Sequence, residues 1–376
     1  MEKTVKALGL MSGTSADGLS IACCEIKGRS LKVRKFANYT YPSSLQARII
    51  AAKDMRAPEL SALNFELGRL WAGMVKKFCR ANKVPFRSLD VIGSHGQTVW
   101  HAPGRRGHTL QIGDPAFLAE ESGVPVVSDF RPADMAAGGE GAPLVPFMDE
   151  YLYGGGAPVA LQNIGGVGNI SFVGKGIKTF GFDTGPGNSL MDTAVCELSG
   201  GRLSCDRNGA WAAAGEPDME KVRALLKAPF FRRRPPKSLD RSEYTLSFIK
   251  KNLGALFNLR RSRDLLATLN AFTAASIALA FRDHAPRGTR ELIVAGGGAL
   301  NPVLMDNLAA LLLPLGVRAR SCAELGLHPL AKEPACFALL AALALRGRVN
   351  HCPSATGAGS PRVLGRVSAS YPRRQI

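Results

Sequence analysis

The first forty residues hold two short apolar runs around a glycine turn and then a stretch in which apolar and polar positions alternate. The stretches "VKALGLMSG" (5–13), "GLSIACCEI" (18–26) and "LKVRKFANYTYP" (31–42) read as three strands, the first two joined at a glycine turn. Further on the period changes. Leu60, Leu63, Leu67, Leu70, Trp71, Met74, Val75 and Phe78 recur at helical spacing, which predicts a long helix with one face on a core. "LDVIGSHGQTVWH" (89–101) and "VPVVSDFRPADMA" (124–136) are short buried strands that end in polar residues. Such strand ends are where α/β sheets carry their sites.

The second half repeats the opening theme. "PVALQNIGGVGNISFVGKG" (158–176) is again strand, glycine turn, strand, and "IKTFGFDTG" (177–185) is a third strand. Helical patterns follow in "SLMDTAVCEL", "LLATLNAFTAASIALAFRDH", "PVLMDNLAALLL" and "EPACFALLAALALRG". Among them "RELIVAGGGALNP" (290–302) is a buried strand that opens through three glycines into a helix. The pattern predicts an α/β protein of two domains, a division that 376 residues also favour. We place an N-terminal lobe at 1–135, completed by about 350–376, and a C-terminal lobe at 136–349.

Composition narrows the class. The chain is 46% hydrophobic and 21% charged, which excludes a disordered protein. No apolar run is expected to reach membrane-spanning length; "PACFALLAALAL" suits a buried helix. The start "MEKTVKALGLMSG" reads as a first strand and not as a signal peptide. Eight scattered cysteines without a CxxC pair predict reduced thiols in a cytoplasm, with neither disulfides nor structural zinc. The net charge of +18 favours anionic partners. The basic clusters "GRRGH", "FFRRRPPK" and "LRRSRD" lack the aromatic or zinc-finger patterns of nucleic-acid readers, so they read as solvated surface charge.

Four motifs carry candidate chemistry. In "MSGTSADG" the residues Ser12, Gly13, Thr14, Ser15, Asp17 and Gly18 suit a turn that donates to phosphate oxygens, with Asp17 able to hold magnesium through water. The same residue types also make an ordinary hairpin turn, and the lysine of a Walker loop is missing. Gly165 and Gly166 in "NIGGVGNIS" occupy the equivalent place in the second half, and Gly296, Gly297 and Gly298 form a third turn. In "GFDTGPGN" the acid Asp183 stands at a strand end, as a catalytic base or as a cap for the helix near Asn188. Thr98 in "SHGQTVWH", with Arg131 and Asp134 in "SDFRPADMAAGGEGAP", suits a sugar and a carboxylate, or merely a packed strand end and a structural ion pair.

Read in order, "GLMSGTSADG", "SHGQTVWH", "LQIGD", "SDFRPADMAAGGEGAPLVP", "NIGGVGNIS", "GFDTGPGNSLMD", "PPKS", "VAGGGALNP" and "PSATGA" closely resemble the anhydro-N-acetylmuramic acid kinase family. The resemblance implies a two-domain actin-like or sugar-kinase fold, a duplicated ribonuclease H-like unit with an interdomain cleft. It implies that ATP, with Mg2+, phosphorylates the 6-oxygen of 1,6-anhydro-N-acetylmuramic acid while water opens the anhydro bridge. The family's catalytic aspartate falls on Asp183 as general base. Its phosphate-binding segment falls on Gly13 to Ser20, and its sugar contacts fall on Thr98, Arg131, Asp134 and Glu333, the arginine meeting the lactyl carboxylate. A homodimer is implied too. The chain departs from the family pattern at Ala16, at Glu140 and in the acid missing upstream of Glu333. A kinase of another sugar and a regulatory ATPase without a sugar are the alternatives, and a nucleic-acid-binding protein is a third, motivated by charge alone.

Overall fold

The structure, a computed structural model, describes residues 3–13, 16–104, 106–239 and 243–369. The chain divides into two compact units, one of Met1–Leu152 with Ala331–Ile376 and one of Tyr153–Leu330.

The first unit begins with β1 (Val5–Ser12), β2 (Gly18–Lys27) and β3 (Ser30–Thr40), then α1 (Ser43–Ile50) and α2 (Ala57–Ala81). Next come β4 (Val91–Ala102), β5 (His108–Ile112), α3 (Pro115–Ser122), β6 (Val126–Ser128), α4 (Phe130–Ala136) and α5 (Val145–Tyr153). The second unit holds β7 (Val159–Ile164), β8 (Val167–Val173), β9 (Phe180–Pro186), α6 (Ser189–Leu198), α7 (Ala210–Ala213), α8 (Met219–Leu225), α9 (Pro229–Arg232) and α10 (Leu246–Leu253). It closes with α11 (Ser262–His284), β10 (Glu291–Ala295), α12 (Pro302–Leu312) and β11 (Arg318–Ser321). The chain then returns to the first unit through α13 (Lys332–Ala344), α14 (Pro353–Thr356) and β12 (Arg366–Ser368).

Each unit is built on one mixed sheet, and the two sheets share an order. The first runs β12-β6-β4-β1-β2-β3, with β5 paired to β4, and the second runs β11-β10-β7-β8-β9. In both, three consecutive antiparallel strands form a meander, and its first strand takes a later strand in parallel: β4 beside β1, and β10 beside β7. The repeat that the sequence carries in motif order is thus a repeat of topology. Trp71 and Phe78, from the helical face of α2, lie fully buried in the core of the first unit.

The return at Ala331 has a steric cause. Residues 334–343 of α13 are all buried, so this helix is apolar all round and has to be internal. It lies flat on β1 and β4 at two glycines. A Cβ on Gly9 would sit 1.7 Å from the Pro334 carbonyl oxygen, and one on Gly93 would sit 2.1 Å from that of Phe337. The helix therefore belongs to the first unit, whereas the boundary drawn from sequence left it in the second lobe.

A second difference concerns α11. The segment Leu259–His284 is long and apolar enough to cross a membrane by length and composition, contrary to the expectation from sequence. It is a core helix, with 78% of its most apolar window buried inside the second unit. Its buried face carries Thr268, Asn270, Thr273 and Ser276 beside the apolar residues, and at least one of these serves the site below.

Candidate active site

Asp183 lies in β9 at a break in pairing. Gly168 of β8 faces Gly185 and Asn169 faces Asp183, so Thr184 is one residue too many and bulges out of the ladder. The strand bends directly after the acid. A neighbouring segment brackets Asp183 on its backbone. The Asp183 N–H donates to the Lys237 carbonyl at 3.0 Å, and the Leu239 N–H donates to Asp183 Oδ2 at 2.9 Å. The helix-cap alternative fails: α6 starts after Asn188 without a side-chain cap, and Asp183 takes no part in that start.

Three loops far apart in sequence meet beside this strand end. The Gly187 N–H donates to Gly166 O at 2.9 Å and the Asn188 N–H to Gly165 O at 2.8 Å, which locks the turn after Asp183 to the β7–β8 turn. Gly296 has φ +84°, and a Cβ there would lie 2.5 Å from Ile164 O. A Cβ on Gly298 would lie 2.4 Å from the Ile164 side chain, and one on Gly297 would lie 3.2 Å from Asn188 Nδ2. Side chains at 296 and 298 would push these loops apart, so glycine there permits the close approach. From α11 the buried Thr273 hydroxyl donates to Gly187 O at 3.0 Å. Gly165, Gly166 and Gly296 to Gly298 are thus gathered in one place. Asn188 and Thr273, which the sequence reading missed, help to hold them. Close by in the chain, burial and then Asp206 raise the Asp192 carboxyl to about 6.

In the first unit the β1–β2 turn is held from below. Ser12 is 2% exposed, and its Oγ lies 2.6 Å from Gln97 Oε1 and 3.0 Å from the Tyr41 hydroxyl. Trp71 Nε1 donates to Tyr41 at 2.8 Å, and Gln97 Nε2 donates to Gly13 O at 3.2 Å. A hydroxyl carries one proton, and the short Gln97 contact takes it. Ser12 therefore supports the Gly13 turn and does not face a ligand, which corrects its assignment as a phosphate donor. Thr14 and Ser15 lie outside the described residues. Asp17 is exposed, and Gly18 passes close to β3, where a Cβ would come within 2.4 Å of Tyr39 O. Among the described residues no three His, Cys, Asp or Glu side chains group as metal ligands. Among the described residues of this turn Asp17 is the carboxylate, a ligand type that suits magnesium.

The remaining assigned residues fall into two groups. Arg131 Nε and Nη2 donate to Nε2 of the buried His95 at 3.2 and 3.0 Å, and Nη1 donates to Gly141 O at 3.3 Å. The His95 Nδ1–H donates to Gly96 O at 2.8 Å, leaving Nε2 as the acceptor. Burial first, and the Arg131 charge second, hold this imidazole at about 3, so it is neutral at working pH. Glu333, in the first turn of α13, is raised by its burial against the opposing charges of Lys332 and Arg131. Thr98 Oγ1 accepts from Gln111 Nε2 at 3.3 Å. Beside Glu333 the buried Lys332 pairs with Asp149 at 2.9 Å, a contact no motif announced.

Asp134 belongs elsewhere. It is 0% exposed; Oδ1 accepts from His351 and from Thr356 Oγ1 at 2.5 Å, and Oδ2 from the Gly141 N–H at 2.5 Å. Burial pushes its carboxyl up, but these donors together hold it below the usual carboxylate range. Asp134 ties the 137–141 loop to the 351–356 segment and offers no free oxygen to a sugar, which corrects its assignment as a substrate contact. Glu140 is exposed, with its N–H donating to Thr356 O at 2.9 Å.

A model of the anhydro-N-acetylmuramic acid kinase family matches residues 5–371. Proteins of that name in Synechococcus elongatus, Thiobacillus denitrificans and Pseudomonas paraeruginosa are 39%, 40% and 40% identical to this chain. The matches cover 97%, 96% and 97% of the chain and 100%, 96% and 98% of the relatives. The family match over nearly the whole chain defines a sugar kinase, an enzyme whose substrates are ATP and a sugar. The chain belongs to the anhydro-N-acetylmuramic acid kinase family.

Proposed function

We propose that the enzyme converts 1,6-anhydro-N-acetylmuramic acid, water and ATP into N-acetylmuramic acid 6-phosphate and ADP, a step of cell-wall recycling. The observation that carries the site assignment is the Asp183 carboxylate, fixed by backbone bonds at a bulged strand end beside the gathered glycine turns. In this reading Asp183 takes a proton from the water that attacks the anomeric carbon. The bond from that carbon to the 6-oxygen breaks, and the 6-oxygen displaces ADP from the γ-phosphorus. The new anomeric carbon keeps the water's oxygen, and Asp183 releases its proton to solvent.

Backbone N–H groups at the glycine turns supply fixed partial positive charge for phosphates. Magnesium, with Asp17 beside it, would neutralise phosphate charge when bound. Arg131 receives the sugar's carboxylate through the N–H groups that His95 and Gly141 leave free. The free thiols, with Cys196 and Cys205 exposed, suit the reducing cytoplasm we assign, and a homodimer is the assembly we assign.

A coupled assay of ADP release across a panel of sugars tests the function. ADP and 6-phosphate are expected to appear together with the anhydro sugar and to be minor with ordinary muramic acid. Slow ATP hydrolysis indifferent to every sugar would favour a regulatory ATPase instead. Within that assay, Arg131→Ala is expected to raise KM for the acidic sugar about 10- to 100-fold, with KM for ATP little changed, because a charge-assisted bond is worth about 1.5–3 kcal/mol. A change confined to ATP would place the arginine elsewhere.

A further inference from the structure

We infer that Lys237 is a positioning residue for the Asp183 carboxylate, acting through the backbone of segment 237–239 and not by pairing its own charge with the acid. The inference rests on the reading of Asp183 as the base. Both bonds that bracket Asp183 come from main-chain groups, Lys237 O and Leu239 N–H. These two main-chain bonds tie Asp183 N–H and Oδ2 to the segment, so a shift of the segment is transmitted to the carboxylate. What pins the segment is the Lys237 side chain.

Lys237 is 5% exposed. Its Nζ donates to Phe230 O at 3.4 Å and lies 4.8 Å from the centroid of the Phe230 ring and 5.5 Å from that of Phe182. Phe182 and Phe230 are themselves core residues. Phe182 precedes Asp183 in β9, so the two side chains leave the strand on opposite faces. The lysine therefore grips the face of the strand away from the carboxylate, while its own carbonyl holds the Asp183 N–H from the edge. His284 packs edge-on against the same Phe182 ring at 5.0 Å, and Asp283, Arg233 and Arg234 add charge around the pair.

An ammonium is an expensive group for packing alone. Burial opposes its charge, and a carbonyl with two ring faces returns part of the loss. A methionine would fill the volume without that cost. The lysine adds a directional bond and two ring contacts that fix the segment's height against β9. Such a local conflict with packing economy is characteristic of positions that serve a site.

The test compares Lys237→Met, Lys237→Arg and Leu239→Pro in the full chain, using steady-state kinetics from pH 4 to 9 and thermal melts. Lys237→Met is expected to lower kcat about 10- to 100-fold with both KM values within about twofold, the scale of a small misplacement at a reacting centre. Its kcat is also expected to fall off at a higher pH on the acid side, because a carboxylate that loses an N–H donor gains a preference for its proton. Lys237→Arg, which keeps the cation and a donor, is expected to recover most of the turnover. Leu239→Pro deletes the N–H itself and is expected to give the same acid-side shift; it decides the matter if Lys237→Met does not fold. Turnover and acid limb like the parent in Lys237→Met, or in Leu239→Pro where the first is unfolded, would overturn the proposal. Substantial activity in Asp183→Asn would instead remove the base. An inactive Asp183→Asn beside a normal Lys237→Met would sink the positioning role alone.

Discussion

Asp183→Asn is expected to fold as the parent does and to lose turnover by about 10²- to 10⁴-fold, the range of a general base. The substitution is nearly isosteric. The β8–β9 pairing and the Asp183 N–H bond to Lys237 O do not involve the side chain, and an amide oxygen still accepts from the Leu239 N–H. The melting temperature is therefore expected to move by a few degrees at most. An amide cannot accept a proton from water near neutral pH, so the loss falls on kcat, with the KM values for sugar and ATP nearly unchanged. Rapid-mix detection of ADP in a single turnover separates the chemical step from product release. A variant within threefold of parental turnover would show that the proton goes elsewhere.

Asp134→Ala is expected to cost stability and not specific chemistry. Removing the carboxylate leaves His351, Thr356 and the Gly141 N–H buried without their acceptor. Each abandoned donor costs about 1–3 kcal/mol, and loss of one partner from a buried polar pair costs about 3–5 kcal/mol in all. Denaturant unfolding at pH 7 should show a loss in that range. The pH dependence has a definite sign. The folded carboxyl is held below its unfolded value of about 3.9, so its contribution is complete above that pH. It is lost as pH falls through the folded value, and the gap between parent and variant should narrow there. A constant gap down to pH 2 would mean that the carboxylate's charge does not matter. Asp134→Asn, which keeps one acceptor oxygen, should lose less.

What could be read without coordinates followed from period and composition. Strand, turn and strand at each half predicted the duplicated meander, because alternation and glycine turns are local properties. The α13 assignment was missed since an apolar helix does not say which sheet it covers; Gly9 and Gly93 are the residues that could have answered. Ser12 at the end of β1 and Asp134, which the sequence reading put at a strand end but which lies in α4, looked like ligand contacts because polar residues there do two jobs, and only burial separates a hydrogen-bond hub from an exposed donor. The role of Thr273 was missed for the opposite reason, and Lys237, which stands in "PPKS" and reads with its basic cluster as solvated surface charge, is instead buried. One sits inside an apolar helix and the other in a basic run, and neither environment signals a role at a loop more than thirty residues upstream. Arg131 was visible, but the neutral His95 that holds it was not, since the tautomer depends on a carbonyl that only the fold supplies.

The interleaving of the two units along the chain orders their assembly on the ribosome. Every strand and helix of the second unit is translated before α13, and α13 is the element that covers β1 and β4. The earlier-made sheet waits with one greasy surface uncovered while a whole neighbour is synthesised. The later-begun unit, being uninterrupted, is free to condense first, the reverse of the usual amino-to-carboxyl order.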